Sequence, residues 1–170
     1  MRSTQLKPTS RSAMRPRGRL AAAAAIAGAL VAGCGMSSAA PAGPGHGPVT
    51  VTARYLKQVG TVLVDARGQA LYMFTLDSPQ SVTCTGVCAA TWPPLTVPAG
   101  SHPMAGQGVS AALLGSAPDP SGGRVVTYDG WPLYTYTGDS QPGQTTGQGI
   151  DLNGGDWYLM RPSGHPLGAG

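Results

Sequence analysis

The chain has 170 residues, with 11 Lys and Arg against 7 acidic residues, a formal net charge of +4, 26 Gly and 16 Pro. Every acid is Asp, and long helix formers are scarce among the Gly, Pro and Thr, which excludes a helical bundle and favours strands and turns. Six of the eleven cations lie in the first nineteen positions, while all seven acids lie beyond residue 34. The part after that point therefore carries five positive and seven negative side chains, net −2, and lacks the basic stripe that a nucleic-acid partner requires.

Arg2, Lys7, Arg11, Arg15, Arg17 and Arg19 open the chain, and the uncharged "LAAAAAIAGALVAGC" follows. That stretch is shorter than the ~20 apolar residues that span a bilayer of about 30 Å. Basic, then apolar, then small is the order of a secretory signal. Its end, "LVAGC" at 30–34, resembles the lipobox of bacterial lipoproteins. The resemblance implies cleavage between Gly33 and Cys34, diacylation of the Cys34 thiol, and a membrane partner reached through that lipid. A twin-arginine route lacks its adjacent pair, because Pro16 separates Arg15 from Arg17. About 137 residues remain, enough for one compact domain.

Residues 34–52 read as a lipidated Cys followed by a flexible Gly/Pro/Ala linker, in which His46 is a solvated side chain rather than a ligand. Repeat 1 is placed at 53–100. Within it "GTVLVDARGQALYMFTLD", 60–77, predicts a β-hairpin turning at Asp65-Ala66-Arg67-Gly68. In the return strand Tyr72, Phe74 and Leu76 share one face and Leu71, Met73 and Thr75 the other. Neither face is polar, so burial on both sides is expected over part of the strand. "CTGVC" and Trp92 follow. A crossover loop is placed at 101–122, with "VSAALLG", 109–115, as its only candidate for a helical turn or two.

Repeat 2 is placed at 123–162. Val125 to Tyr128 rise to a turn at Asp129-Gly130, and "LYTYT" returns with Tyr134 and Tyr136 on one face. "LYMFTLD" at 71–77 and "LYTYTGD" at 133–139 are the same phrase 62 positions apart. Trp92 follows Asp77 much as Trp157 follows Asp139. This internal duplication predicts two small sheets, each too small to stand alone, that close one core together. "GIDLNGGDWYLM", 149–160, reads as a hairpin about Asn153-Gly154, and 163–170 as a frayed tail.

Tyr72, Phe74, Asp77, Tyr134, Tyr136 and Asp139, with the cysteines, "TWPPL" and the duplication in order, make the chain resemble the bacterial secreted-repeat lipoproteins known by a Tyr-x-aromatic-x-x-Asp motif. The resemblance spans roughly residues 55–162. It implies an extracytoplasmic, lipid-anchored, all-β protein, and it implies no reaction, since the family is defined by its motif.

Cys84 and Cys88 are the cysteines left once Cys34 is lipidated. Outside the cytoplasm such a pair most simply forms a disulfide, and one helical turn would bring the two Cα atoms to about 6 Å, within bonding range. A copper(I) or thiol redox site is the alternative, with His102, Met73, Met104 and Met160 as further donors. Asp77 and Asp139 could serve as paired carboxylates for hydrolysis or hold a cation, or each could cap the turn that leaves its strand. "DLNGGD", 151–156, resembles a calcium loop but has Pro162 where an EF-hand needs Glu, and reads as a turn. Trp92, Trp131 and Trp157 read as core before they read as a ligand groove. No Ser stands in a nucleophile motif such as G-x-S-x-G. The expectation is an all-β domain of two degenerate hairpin repeats, without catalytic residues, metal or cofactor. It would act as a binding or envelope-interaction module toward an extracytoplasmic ligand or protein still to be identified.

Overall fold

A computed structural model describes residues 48–168. The signal segment, Cys34 and His46 lie outside the described residues. The described chain is almost entirely β. Its elements are β1 (Thr50–Leu56), β2 (Gly60–Val64), β3 (Tyr72–Phe74), α1 (Val87–Thr91), β4 (Thr96–Val97), β5 (Met104–Ala105), β6 (Leu114–Pro118), β7 (Arg124–Tyr128), β8 (Trp131–Pro132), β9 (Ile150–Leu152) and β10 (Gly155–Leu159). Three small sheets result, ordered β2-β1-β5, β3-β10-β9 and β4-β7-β6, with β8 pairing β7.

The hairpin about Asn153-Gly154 forms as read, while the one about Asp129-Gly130 keeps its turn but not its return strand, since β8 ends at Pro132 and Tyr134 bridges Tyr72 and Pro94 instead. Asp129 and Gly130, at φ 49° and 82°, turn β7 into β8, and Asn153 and Gly154, at 64° and 87°, turn β9 into β10. Positive φ at both central residues is what the tight hairpin turn needs, and Asn, Asp and Gly supply it at least cost. The first hairpin forms only at its tip. Asp65 N–H donates to the Gln69 carbonyl and Val64 bridges Ala70, but β2 then pairs with β1, and β3 pairs with β10.

Four boundaries differ from the sequence reading. The linker ends earlier than 52, because Thr50 opens β1 and Val51 is fully buried. The crossover is not a plain loop: β5 runs parallel to β1, and β6 pairs with all of β7. "VSAALLG" holds one turn closed by i→i+3 bonds and then enters β6 at Leu114, because a strand position beside β7 is open to it. The segment after 162 is docked as far as Leu167. Leu167 N–H donates to the Leu159 carbonyl, Arg161 N–H to His165, and the Tyr128 hydroxyl to Pro162.

The core forms two clusters, and β3 explains why. Tyr72 and Phe74 point into one, with Trp92, Tyr134 and Trp157, while Leu71 and Met73 point into the other, with Leu63, Tyr128 and Met160. Burial on both faces is therefore realised over 71–74. It stops before Leu76, which is 52% exposed rather than in line with Tyr72 and Phe74, because the chain turns after the strand and Asp77 N–H donates back to the Phe74 carbonyl.

The repeats are intertwined rather than apposed. Tyr72 N–H donates to the Tyr134 carbonyl at 2.8 Å and Tyr134 N–H to the Tyr72 carbonyl at 2.9 Å, a reciprocal pair on a local pseudo-twofold axis. Leu95 of repeat 1 lies between two segments of repeat 2: its carbonyl accepts from Val126 N–H and its N–H donates to Leu133. Met160 of repeat 2 does the same in repeat 1, accepting from Leu63 and donating to Leu71. Each repeat thus ends by completing the backbone hydrogen bonding of the other, which satisfies buried amides that neither could satisfy alone.

Candidate functional site

The motif residues converge on the axis, and they cross between repeats. The Tyr72 hydroxyl donates to Asp139 Oδ2 at 2.6 Å, and the Tyr134 hydroxyl donates to Asp77 Oδ2 at 2.6 Å. Each Tyr therefore binds the Asp of the other copy. Asp77 Oδ1 accepts from both N–H and Oγ1–H of Thr83 at 2.7 Å. Asp139 Oδ1 accepts from N–H and Oγ1–H of Thr146, at 2.8 and 2.6 Å. Both carboxyl groups are buried, at 4% and 3% exposure, and each receives three donors, as a buried charge requires.

The expected turn-capping role of the two aspartates is present, through Thr83 and Thr146, but it is half of what they do. The other half ties the repeats together. The threonines escaped the sequence reading. Their signal is a Thr six or seven residues after the motif Asp in both "DSPQSVT" and "DSQPGQTT".

Burial first, and then the hydrogen bond to Asp139, push the Tyr72 hydroxyl far above the ordinary phenol pKa of 10.0. Burial and the Asp77 hydrogen bond do the same for Tyr134. A phenolate there would lose solvation and face a carboxylate, so both phenols remain protonated donors. Neither Tyr is poised as a base or nucleophile near neutral pH.

The remaining motif aromatics build a column. Trp92 and Trp157 stack with centroids 4.0 Å apart and planes 1° from parallel. Tyr136 of repeat 2 stacks on Trp92 at 4.2 Å, and Phe74 of repeat 1 stacks on Trp157 at 4.2 Å. Tyr72 meets Trp92 edge-on at 5.3 Å, and Tyr134 meets Trp157 edge-on at 5.2 Å. Six of the ten aromatic residues of the chain thus occupy one symmetric cluster, and the exchange seen in the Tyr–Asp pairs recurs in the stacking. Trp92 and Trp157 are core, as expected, and Trp131 is partly buried against the second cluster. The two indole N–H groups differ: Trp157 Nε1–H donates to the Leu152 carbonyl at 3.1 Å, while Trp92 Nε1–H is buried without a partner.

Cys84 and Cys88 are joined by a disulfide, with Cα atoms 5.3 Å apart. The bond closes the loop that leads into α1 and packs against the aromatic column. The further donors weighed for copper do not gather around it. Met73 and Met160 are buried in the other cluster, and His102 and Met104 are exposed. Among the described residues no group of three or more His, Cys, Asp or Glu could hold a metal ion. "DLNGGD" is the β9–β10 turn.

A family model described as a secreted repeat of unknown function matches residues 55–96 and 116–160, one match for each copy. The chain belongs to this secreted-repeat family. Its location is accordingly extracytoplasmic. The second match starts inside β6, seven residues before the boundary read from the sequence, so β6 is part of the repeat and not of the crossover. No curated protein and no solved structure matches the chain.

Proposed function

We propose that the protein is a lipid-anchored extracytoplasmic β-repeat domain that serves as a binding or envelope-interaction module and performs no catalysis. The observation that carries this reading is the commitment of the motif side chains to structure. Both oxygens of Asp77 and of Asp139 accept structural donors, both partner phenols are buried donors, and both candidate thiols are spent in a disulfide. A hydrolase needs a carboxyl free to exchange a proton with substrate, and a copper(I) site needs thiolates. What the fold offers a partner is then its outer surface. Anchoring is supported by "LVAGC", whose Cys34 would carry the lipid.

The test is a mass spectrum and a membrane partition of exported protein. The proposal expects a Cys34 N-terminus carrying acyl chains, partition with membranes, and release or lack of processing in Cys34→Ser. Unmodified Cys34 in correctly exported protein would overturn the anchoring. Stoichiometric tight copper(I) binding by protein that has seen no reductant would overturn the non-metal reading.

A further inference from the structure

The reciprocal seam has a property that a single chain does not exhaust. Every bond that closes it runs between repeats: Tyr72 to Asp139, Tyr134 to Asp77, Leu95 into repeat 2 and Met160 into repeat 1. None requires that the two repeats belong to the same molecule. What keeps them together is the segment between them, and its ties are divided cleanly. Up to Gln107 the chain is bound to repeat 1, through Gly106 N–H to Val51 and the Gln107 carbonyl to Ala53 N–H. From Leu113 it is bound to repeat 2, through the Leu113 carbonyl to Asp129 N–H and then β6 along β7.

Between these points Ser110, Ala111 and Ala112 are exposed in a turn closed chiefly by local bonds, from Leu113 N–H to Ser110 and from Leu114 N–H to Ala111. The tie that reaches further is Ser110 N–H to the Tyr128 hydroxyl. Opening this turn therefore breaks few bonds, and an extended Ser110–Ala112 would carry repeat 2 away from its own repeat 1.

We infer that the protein recognises a second copy of itself by exchange: repeat 1 of one molecule closes on repeat 2 of another, and the reverse, giving an intertwined dimer with two complete seams. Asp139 of each molecule then receives the Tyr72 hydroxyl of the other, so each seam is incomplete without its partner copy. The closed monomer and the exchanged dimer make the same contacts except at 108–112. Their balance is set by the effective concentration that the short connection provides against the concentration of other chains. This inference does not depend on the lipid anchor or on any ligand.

The test places a reporter across the seam. Thr96 of β4 and Val125 of β7 are direct antiparallel partners from different repeats. Two full chains are made in a Cys34→Ser background, one with Thr96→Cys and the other with Val125→Cys. They are unfolded together with the native disulfide intact, refolded over a range of concentrations, and mildly oxidised. A closed monomer holds only one new thiol at its seam. An exchanged dimer sets residue 96 of one chain against residue 125 of the other and locks as a covalent heterodimer. The expected result is a heterodimer whose share rises with chain concentration and becomes the main product when Ser110–Ala112 are deleted from both chains. Monomer at every concentration, with no 96–125 bond in the intact chains, overturns the inference. The intact chains decide the matter even if the deletion variant does not fold.

Discussion

Replacing Tyr134 with Phe isolates the Tyr–Asp bond with little else disturbed. The ring stays, and with it the edge contact to Trp157 at 5.2 Å, but Asp77 Oδ2 loses its phenol donor inside a side chain that is 4% exposed. A hydrogen bond to a buried charge contributes about 1.5–3 kcal/mol, so Tyr134→Phe should cost about 2 kcal/mol. Tyr72→Phe strands one group more. The Tyr72 oxygen donates to Asp139 and also accepts from the buried Gly147 N–H at 3.3 Å. Its loss should exceed that of Tyr134→Phe by roughly 1 kcal/mol. The two changes are related by the pseudo-twofold axis, so their difference reports the Gly147 contact. Urea unfolding followed by Trp fluorescence measures both, with an unchanged m-value expected. For a domain of this size each kcal/mol lowers Tm by about 3–6 °C. Losses below about 0.5 kcal/mol in both variants would refute the reading that the crossed pairs hold the repeats together.

Three further outcomes are expected. Alkali should destabilise the fold: Tyr72 and Tyr134 have folded pKa values raised above the ordinary 10.0, so the unfolded state loses these protons first. Stability is then complete below about pH 10 and falls above it by about 1.4 kcal/mol per pH unit for each phenol, readable as a falling urea midpoint between pH 9 and 11. Trp157→Phe should cost about 1 kcal/mol more than Trp92→Phe, because Trp157 Nε1–H donates to Leu152 whereas Trp92 Nε1–H has no partner; equal thermal shifts would contradict the asymmetry. Replacing Cys84 and Cys88 together with Ala should cost about 2 kcal/mol, since the five-residue ring removes little chain entropy, and the far-UV spectrum should keep its β signature.

What the sequence made legible was local. Asp129-Gly130 and Asn153-Gly154 carry their turn geometry in their own backbones, and Cys84 and Cys88 lie near enough in sequence to meet without help from the fold. The unbroken apolar run 71–74 declared a strand buried on both faces. The pairing of distant segments was not written in any window. "TVTARYL" alternates weakly and follows a Gly/Pro stretch, so the first three residues of β1 read as the end of the linker, although burial of Val51 fixes them in the strand. β6 is "LGSAP", with no strand propensity of its own, and is ordered by β7. The duplicated phrase announced two repeats sharing a core. It did not say that each Asp serves the other copy, because the motif spacing is the same whether the Tyr–Asp bond is made within a repeat or across the axis. That choice is made by closure in three dimensions.

The crossed seam also dictates when this chain can become a protein. The bonds that matter join residues 57 and 67 positions apart, and Leu63 waits for Met160. No local nucleus completes the first repeat, and loops of this length slow the search for the native state. Until the last strand has emerged, the growing polypeptide can hold the local β1–β2 and β6–β7–β8 pairings, but both core clusters lack the side chains of β10 and Met160 that close them. Placing the closing residues at the far end leaves the core unclosed until the chain is nearly complete, so the same twofold exchange that locks the finished domain keeps its precursor open.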